Sequence, residues 1–147
     1  MVTVELSRVD DAYHMVATND RGNVVHTDEG GKEGGQGAGF GPMQMLLAAL
    51  GGCSSIDVVS ILKKQRQPLA DLKITITGER EPGAIPSLYQ TVHAHFKLFG
   101  KIDPDKAEKA VALSIDKYCS VAMTLRKSGA KITHSFEVVN SDEYILN

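Results

Sequence analysis

Apolar and polar positions alternate through the first eight residues, where Val2, Val4 and Leu6 share one side, the period of a half-buried strand. Asp10 and Asp11 then suit a turn. Residues 12–18 (AYHMVAT) and 23–27 (NVVHT) predict two further strands around NDRG, whose Asn19, Asp20 and Gly22 favour a hairpin. Residues 1–28 therefore read as a small antiparallel β meander. From Asp28 to Gly41 the sequence DEGGKEGGQGAGFG loses all periodicity, which predicts a glycine-rich loop over 29–41, either a plain flexible connector or a gate over a pocket.

The pattern changes again at Pro42, a residue suited to the first turn of a helix, and a helix is expected from 42 to about 67, where Pro68 stops it. Apolar residues at 43, 45, 46, 47, 50, 53, 56, 58, 59, 61 and 62 cover most of its circumference, so its first three turns are expected to be buried on nearly every side. Gly51 and Gly52 each cost about 1 kcal/mol of helix propensity relative to alanine, a cost commonly tolerated where another backbone or a ligand comes close. Residues 71–80 and 91–99 alternate as two strands, expected to pair antiparallel through the loop EPGAIPSLYQ. Asp103 caps a helix opened by Pro104, a second helical stretch follows in CSVAMTLRK, and residues 131–139 form a last strand. Strands, helix, strands, helices and strand in that order give an α+β class, with a second β/α part over 71–147.

Composition sharpens this picture by exclusion. At 147 residues the chain fits a single domain, 1–147, with 42% hydrophobic and 23% charged residues, ordinary values for a folded globular protein. A net charge of -2 carries no basic footprint for nucleic acid or for a membrane surface, and neither partner is expected. The start, MVTVELSRVDD, lacks the basic and apolar regions of a signal peptide, and the longest apolar run, Met45 to Leu50, falls short of the roughly 20 residues that span a bilayer. The expected compartment is the cytoplasm.

Candidate chemistry centres on two cysteines. Cys53 lies in the middle of the long helix and Cys119 at the joint between the two later helices, 119 - 53 = 66 residues away, so no CxxC motif or local metal knuckle exists. The spacing leaves two readings open: packed apolar thiols, or a redox pair assembled by the fold. A thiol becomes a nucleophile only as the thiolate, which favours Cys119, at a helix start with Lys117 nearby, over Cys53, with Asp57 one turn later. His93 and His95 share one side of a strand without a clear third ligand and read as part of a polar sheet face, and His14, His26 and His134 as histidines with satisfied hydrogen bonds. No metal site is expected. GGQGAGFG lacks the Lys and Ser or Thr of a phosphate-cradling loop.

The combination of GPMQMLLAALGGCSSIDVVSILKK, DKYCSVAMTL and the closing strand ITHSFEVV resembles the OsmC/Ohr family, the osmotically inducible and organic hydroperoxide resistance proteins, over about Pro42 to Val139. The resemblance implies antiparallel sheets packed around a long central cysteine-bearing helix in an interlocked homodimer, with the active sites at the subunit interface. It implies that Cys53 attacks an organic hydroperoxide in a dry apolar pocket and becomes a sulfenic acid, and that Cys119 then condenses with it to a disulfide. It further implies that an external thiol, lipoyl-linked in the family's better-understood members, resets the pair with no bound cofactor. Family hydroperoxidases carry a glutamate ten residues before the first cysteine and an arginine further upstream. Here Met43 holds the glutamate position, with Gln44 beside it as a second pocket candidate, and the preceding loop offers Lys32 but no arginine. The departure sets a rival expectation beside the peroxidase: a non-catalytic member whose pocket binds a small apolar or electrophilic molecule while its thiols act as a sensor or as packing.

Overall fold

The computed structural model describes residues 1–140, so the last seven positions of the expected part 71–147 lie outside it. The chain divides into two compact units, Met1–Leu46 and the residues from Leu47 onward. In the first, β1 (Glu5–Arg8), β2 (Met15–Thr18) and β3 (Val24–Thr27) form the expected antiparallel meander in the order β1-β2-β3. Asn19 sets the hairpin between β2 and β3 by accepting the backbone N–H groups of Arg21 and Asn23 on its side-chain oxygen at 3.1 and 2.9 Å.

The glycine-rich segment after β3 is tied down rather than left loose. The buried Asp28 carboxylate accepts the backbone N–H groups of Glu29, Gln36 and Ala38 at 2.7, 3.3 and 3.0 Å. The Glu29 carboxylate accepts those of Gly31, Glu33 and Gly35 at 3.0, 3.0 and 2.8 Å. The chain thus coils around two anions, and it comes so close at Gly35 that any Cβ there would collide with the Glu29 carbonyl. Glycine is what lets the backbone N–H groups reach the carboxylates.

The helix α1 (Pro42–Lys64) begins where Pro42 predicts. Gln44 accepts the backbone N–H of Gly41 at 2.9 Å, half of a capping box, and the helix ends before Arg66, whose φ is 56°. By length and composition α1 would reach across a bilayer, which its short uninterrupted apolar run understates. One stripe of it is instead buried against protein: Leu50, Ser54, Val58 and Leu62 are each 0% exposed. The expectation that its first three turns are buried on nearly every side fails, since Leu50 is buried there but Leu46 is 39% exposed, and further along Ile56 is 67% and Val59 45% exposed. One sheet can cover only one stripe of a helix, and the opposite apolar flank needs a further surface. Gly51 fits an ordinary contact, since a methyl there would meet Ile76 at 3.6 Å, while Gly52 has open space around it.

Beyond α1, the strands β4 (Leu69–Arg80), β5 (Tyr89–Gly100) and β6 (Lys131–Val139) form the second sheet. β4 and β5 pair antiparallel as expected, but β6 runs parallel to β5, so this sheet is mixed rather than antiparallel. The reason is topological: β5 and β6 are joined through helices that carry the chain back to the same end of the sheet. Alternation sorts the faces. Val92, Ala94, Phe96 and Leu98 point inward and are at most 1% exposed, with Phe96 between Ile74 and Phe136 in register. Truncating Phe96 to alanine would cost about 3–5 kcal/mol. His93 and His95 point outward, where the hydroxyls of Thr133 and Ser135 take both His93 nitrogens at 2.7 and 2.8 Å and Ser135 takes His95 Nδ1 at 2.7 Å. They form a polar ladder, as their spacing suggested.

The connection from β5 to β6 contains α2 (Pro104–Leu113), a π-helical turn (Ser114–Tyr118) and α3 (Ser120–Lys127). Asp103 caps α2 by accepting the N–H of Asp105 at 2.9 Å, and Pro104 opens it. Gly129, with φ 106°, closes α3 in a left-handed conformation that returns the Ala130 N–H to Leu125 at 3.1 Å.

The hydrogen bonds from Gly35 first, and then from Gly31 and Glu33, hold the Glu29 carboxyl below its ordinary range, and those from Ala38, Glu29 and Gln36 do the same for Asp28. Groups with lowered folded values stabilise the loop above the ordinary carboxylate value of about 4 and lose that contribution as pH falls through the lower folded value. In an acid titration followed by the amide resonances of Gly31 and Gly35, the step should fall below the ordinary carboxylate value in the native chain and vanish in Glu29→Gln. A step at the ordinary carboxylate value would show that the loop is not held this way.

Candidate active site

The fold brings the two cysteines together. Cys53 sits half-buried on α1, and Cys119 is 3% exposed at the start of α3; both are free thiols, near enough for Cys53 to act on the Cys119 thiol. Cys119 owes its place to the π-helical turn. Its backbone N–H reaches five residues back to Ser114 at 2.8 Å, which ends the turn and sends Cys119 into an extended conformation as the N-cap of α3. Its sulfur accepts the N–H of Ala122 at 3.4 Å.

Burial, and then the neighbouring Cys53 thiol, push the Cys119 thiol up to about 11, although the N–H groups of Ala122 and Val121 pull the other way. Cys119 is thus held as a neutral thiol near Cys53. The helix start that the sequence pointed to is real, but it does not lower the Cys119 thiol, because desolvation outweighs two backbone donors. Lys117, the expected cationic helper, lies over the ring of Tyr118 at 5.4 Å instead. Asp57 is occupied as well: the Ser114 hydroxyl, 0% exposed, donates to the Ser54 carbonyl at 3.0 Å and to Asp57 Oδ2 at 3.1 Å.

Met43 and Gln44 stand in the first turn of α1, ten and nine residues before Cys53, and Gln44 serves as the cap already described. The three scattered histidines all have partners: His14 Nε2 meets His26 Nδ1 at 2.8 Å, and His134 Nε2 meets Asp116 at 3.2 Å. Asp10, His14 and Asp28 bring ligand atoms within 4.8 Å of one another, but both carboxylates already accept backbone N–H groups of their own loops.

Comparison with known proteins places the chain in a family. Residues 34–135 match the family model described as OsmC-like protein. The chain belongs to the OsmC-like family. It is 50% identical over 99 residues to protein YhfA of Escherichia coli (strain K12), an alignment that covers 67% of this chain and 72% of that one. Among solved structures, a hypothetical protein from Aquifex aeolicus VF5 superimposes with a TM-score of 0.81 at 32% identity, covering 95% of this chain and 97% of that one. An organic hydroperoxide resistance protein OsmC from Legionella pneumophila superimposes with a TM-score of 0.66 at 15% identity, covering 95% and 96%, a likeness of fold. The OsmC-like fold expected from the sequence is therefore present.

Ser114, Asp116, Arg126 and His134 were not singled out from the sequence as parts of one site. Each is an unremarkable residue of a helix or strand in the sequence, and the fold joins Ser114 to Asp57 on α1, and Arg126 and His134 to Asp116, within the π-helical turn that precedes Cys119.

A group whose folded value is raised stabilises the native state below its unfolded value and loses that contribution as pH rises through the folded value. Between about pH 8.5, the free thiol value, and about 11 the native chain should lose roughly 3 kcal/mol of stability from Cys119, an upper figure for a shift of this size. Urea melts across that range should show the decline, and Cys119→Ala should remove it. An equal decline in both chains would place the alkaline instability elsewhere.

Proposed function

We propose that this chain is a thiol-dependent peroxidase that reduces organic hydroperoxides, with Cys53 as the attacking and Cys119 as the resolving cysteine. The observation that carries the reading is the contact between two cysteines 119 - 53 = 66 residues apart, one half-buried and one held as a thiol. In the first step the Cys53 thiolate attacks the terminal peroxide oxygen; the O–O bond breaks, the alkoxide takes a proton and leaves as the alcohol, and Cys53 becomes a sulfenic acid. In the second, the Cys119 sulfur displaces the sulfenic oxygen, which leaves as water with the thiol proton, and the disulfide forms. Two equivalents of an external thiol then reduce the disulfide and are themselves oxidised to a disulfide, so the cycle needs no bound cofactor.

Division of labour supports the assignment of roles. A resolving cysteine works best if it stays protonated until the sulfenic acid appears, because a second thiolate beside the first would oppose its ionisation. The exposed flank of α1 around Ile56 and Val59 supports an interlocked homodimer in which a second copy covers that flank and dries the pocket. A family that includes organic hydroperoxide resistance proteins supports the reaction class, and a reducing compartment such as the cytoplasm suits free thiols reset by a small or lipoyl-linked reductant.

Met43 favours a second reading, a non-catalytic binding or redox-sensing protein, because a thioether in the glutamate position supplies no charge with which to orient a thiolate. Free-thiol counting separates the two. Reduced protein mixed with stoichiometric cumene hydroperoxide should lose both thiols rapidly, stop at the sulfenic acid in Cys119→Ser and fail to react in Cys53→Ser. Thiols consumed no faster than free cysteine would establish the second reading.

A further inference from the structure

The π-helical turn before Cys119 is held by side chains from three other elements. At its start the buried Ser114 hydroxyl bonds to α1 beside Cys53, through the Ser54 carbonyl at 3.0 Å and Asp57 at 3.1 Å. In its middle the two carboxylate oxygens of Asp116 are taken by two different elements: Oδ1 by Arg126 Nη2 of α3 at 3.1 Å, and Oδ2 by His134 Nε2 of β6 at 3.2 Å. The other arm of the Arg126 guanidinium donates to the Ile115 carbonyl at 2.7 Å. A π-helical turn moves its carbonyls out of α-helical register, and this bond satisfies one of them from outside the turn.

We propose that Asp116, clamped between Arg126 and His134, is a positioning residue that sets Cys119 for disulfide closure; this rests on the roles given to the two cysteines above. The side chains of Arg126, Asp116 and His134 are 27, 56 and 26% exposed, and ion pairs this open contribute little to stability. Their effect is geometric. The closing step forms an S–S bond of about 2.05 Å with a dihedral near 90°, while the S–O bond of the sulfenic acid breaks and its oxygen leaves as water with the Cys119 proton. The two thiols are free and not yet at bonding distance, so Cys119 must advance on Cys53, and closure is sensitive to small misplacements. The first oxidation occurs on α1, which Asp116 does not touch in these hydrogen bonds, so the clamp acts on the second step alone.

The test uses 5,5′-dithiobis(2-nitrobenzoate), which needs no peroxide chemistry: Cys53 releases one thionitrobenzoate as it forms a mixed disulfide, and Cys119 releases the second as it closes the ring. Asp116→Ala should leave the first release within twofold of the native rate and slow the second by about tenfold, and Asp116→Asn, which keeps hydrogen-bonding groups in place, should recover most of the loss. With cumene hydroperoxide, trapped Cys53 sulfenic acid should accumulate in Asp116→Ala. A second release within twofold of native, both releases slowed alike, or no recovery in the conservative variant would overturn the proposal. A slowed second release in a chain that ignores peroxides would leave the clamp standing and reject the peroxidase reading.

Discussion

The contact between Cys53 and Cys119 is what the chemistry of this chain depends on, and no local stretch of sequence creates it. One sulfur is delivered by a helix whose Leu50, Ser54, Val58 and Leu62 stripe is fixed by burial. The other is delivered by a helix cap that exists because a π-helical turn inserts an extra residue between α2 and α3. Ser114 welds the two deliveries together, since its buried hydroxyl bonds to the backbone of the very next residue after Cys53. A buried hydroxyl without a partner would cost about 1–3 kcal/mol, so this bond fixes the spacing with some force.

The electrostatics of the pair follow from that packing. Two thiols in contact cannot both ionise cheaply, and burial decides which one yields. The Cys119 thiol is pushed up to about 11 despite sitting at a helix start, the position that on sequence grounds made it the more reactive candidate. The magnitude of desolvation, weighed against two backbone N–H donors, reverses the inference. In the first unit the balance runs the other way: the carboxylates of Asp28 and Glu29 are each taken by three backbone N–H groups, and the charged form wins even for the buried Asp28.

Much of the fold was legible in residue pattern. The meander, the helix that starts at Pro42, the Asp103 and Pro104 cap and the strand over 131–139 all appear where periodicity and capping chemistry put them, because those signals act over a few residues. The parallel pairing of β6 was not legible, since alternation places a residue on a face but does not give a strand its direction. The hydrogen bonding of the glycine-rich loop was not legible, because Asp28 and Glu29, which accept its backbone N–H groups, look like ordinary loop residues. All-round burial of α1 failed for a related reason: composition counts apolar residues but not the surfaces available to cover them. At the site, the cysteines were visible by their rarity and by family resemblance, whereas Asp116, Arg126 and His134 converge only through tertiary structure.

The central claim is that the fold holds Cys53 and Cys119 of one chain within reach of a shared bond. Its most direct measurement is peptide mapping by mass spectrometry, without reduction, after the native protein has met one equivalent of cumene hydroperoxide and residual thiols have been alkylated. The account predicts one dominant cross-link, Cys53 to Cys119 within a single chain, with a loss of two hydrogens from the intact mass. Cross-links between two copies of Cys53, or both cysteines recovered separately as alkylated thiols or overoxidised acids, would contradict it.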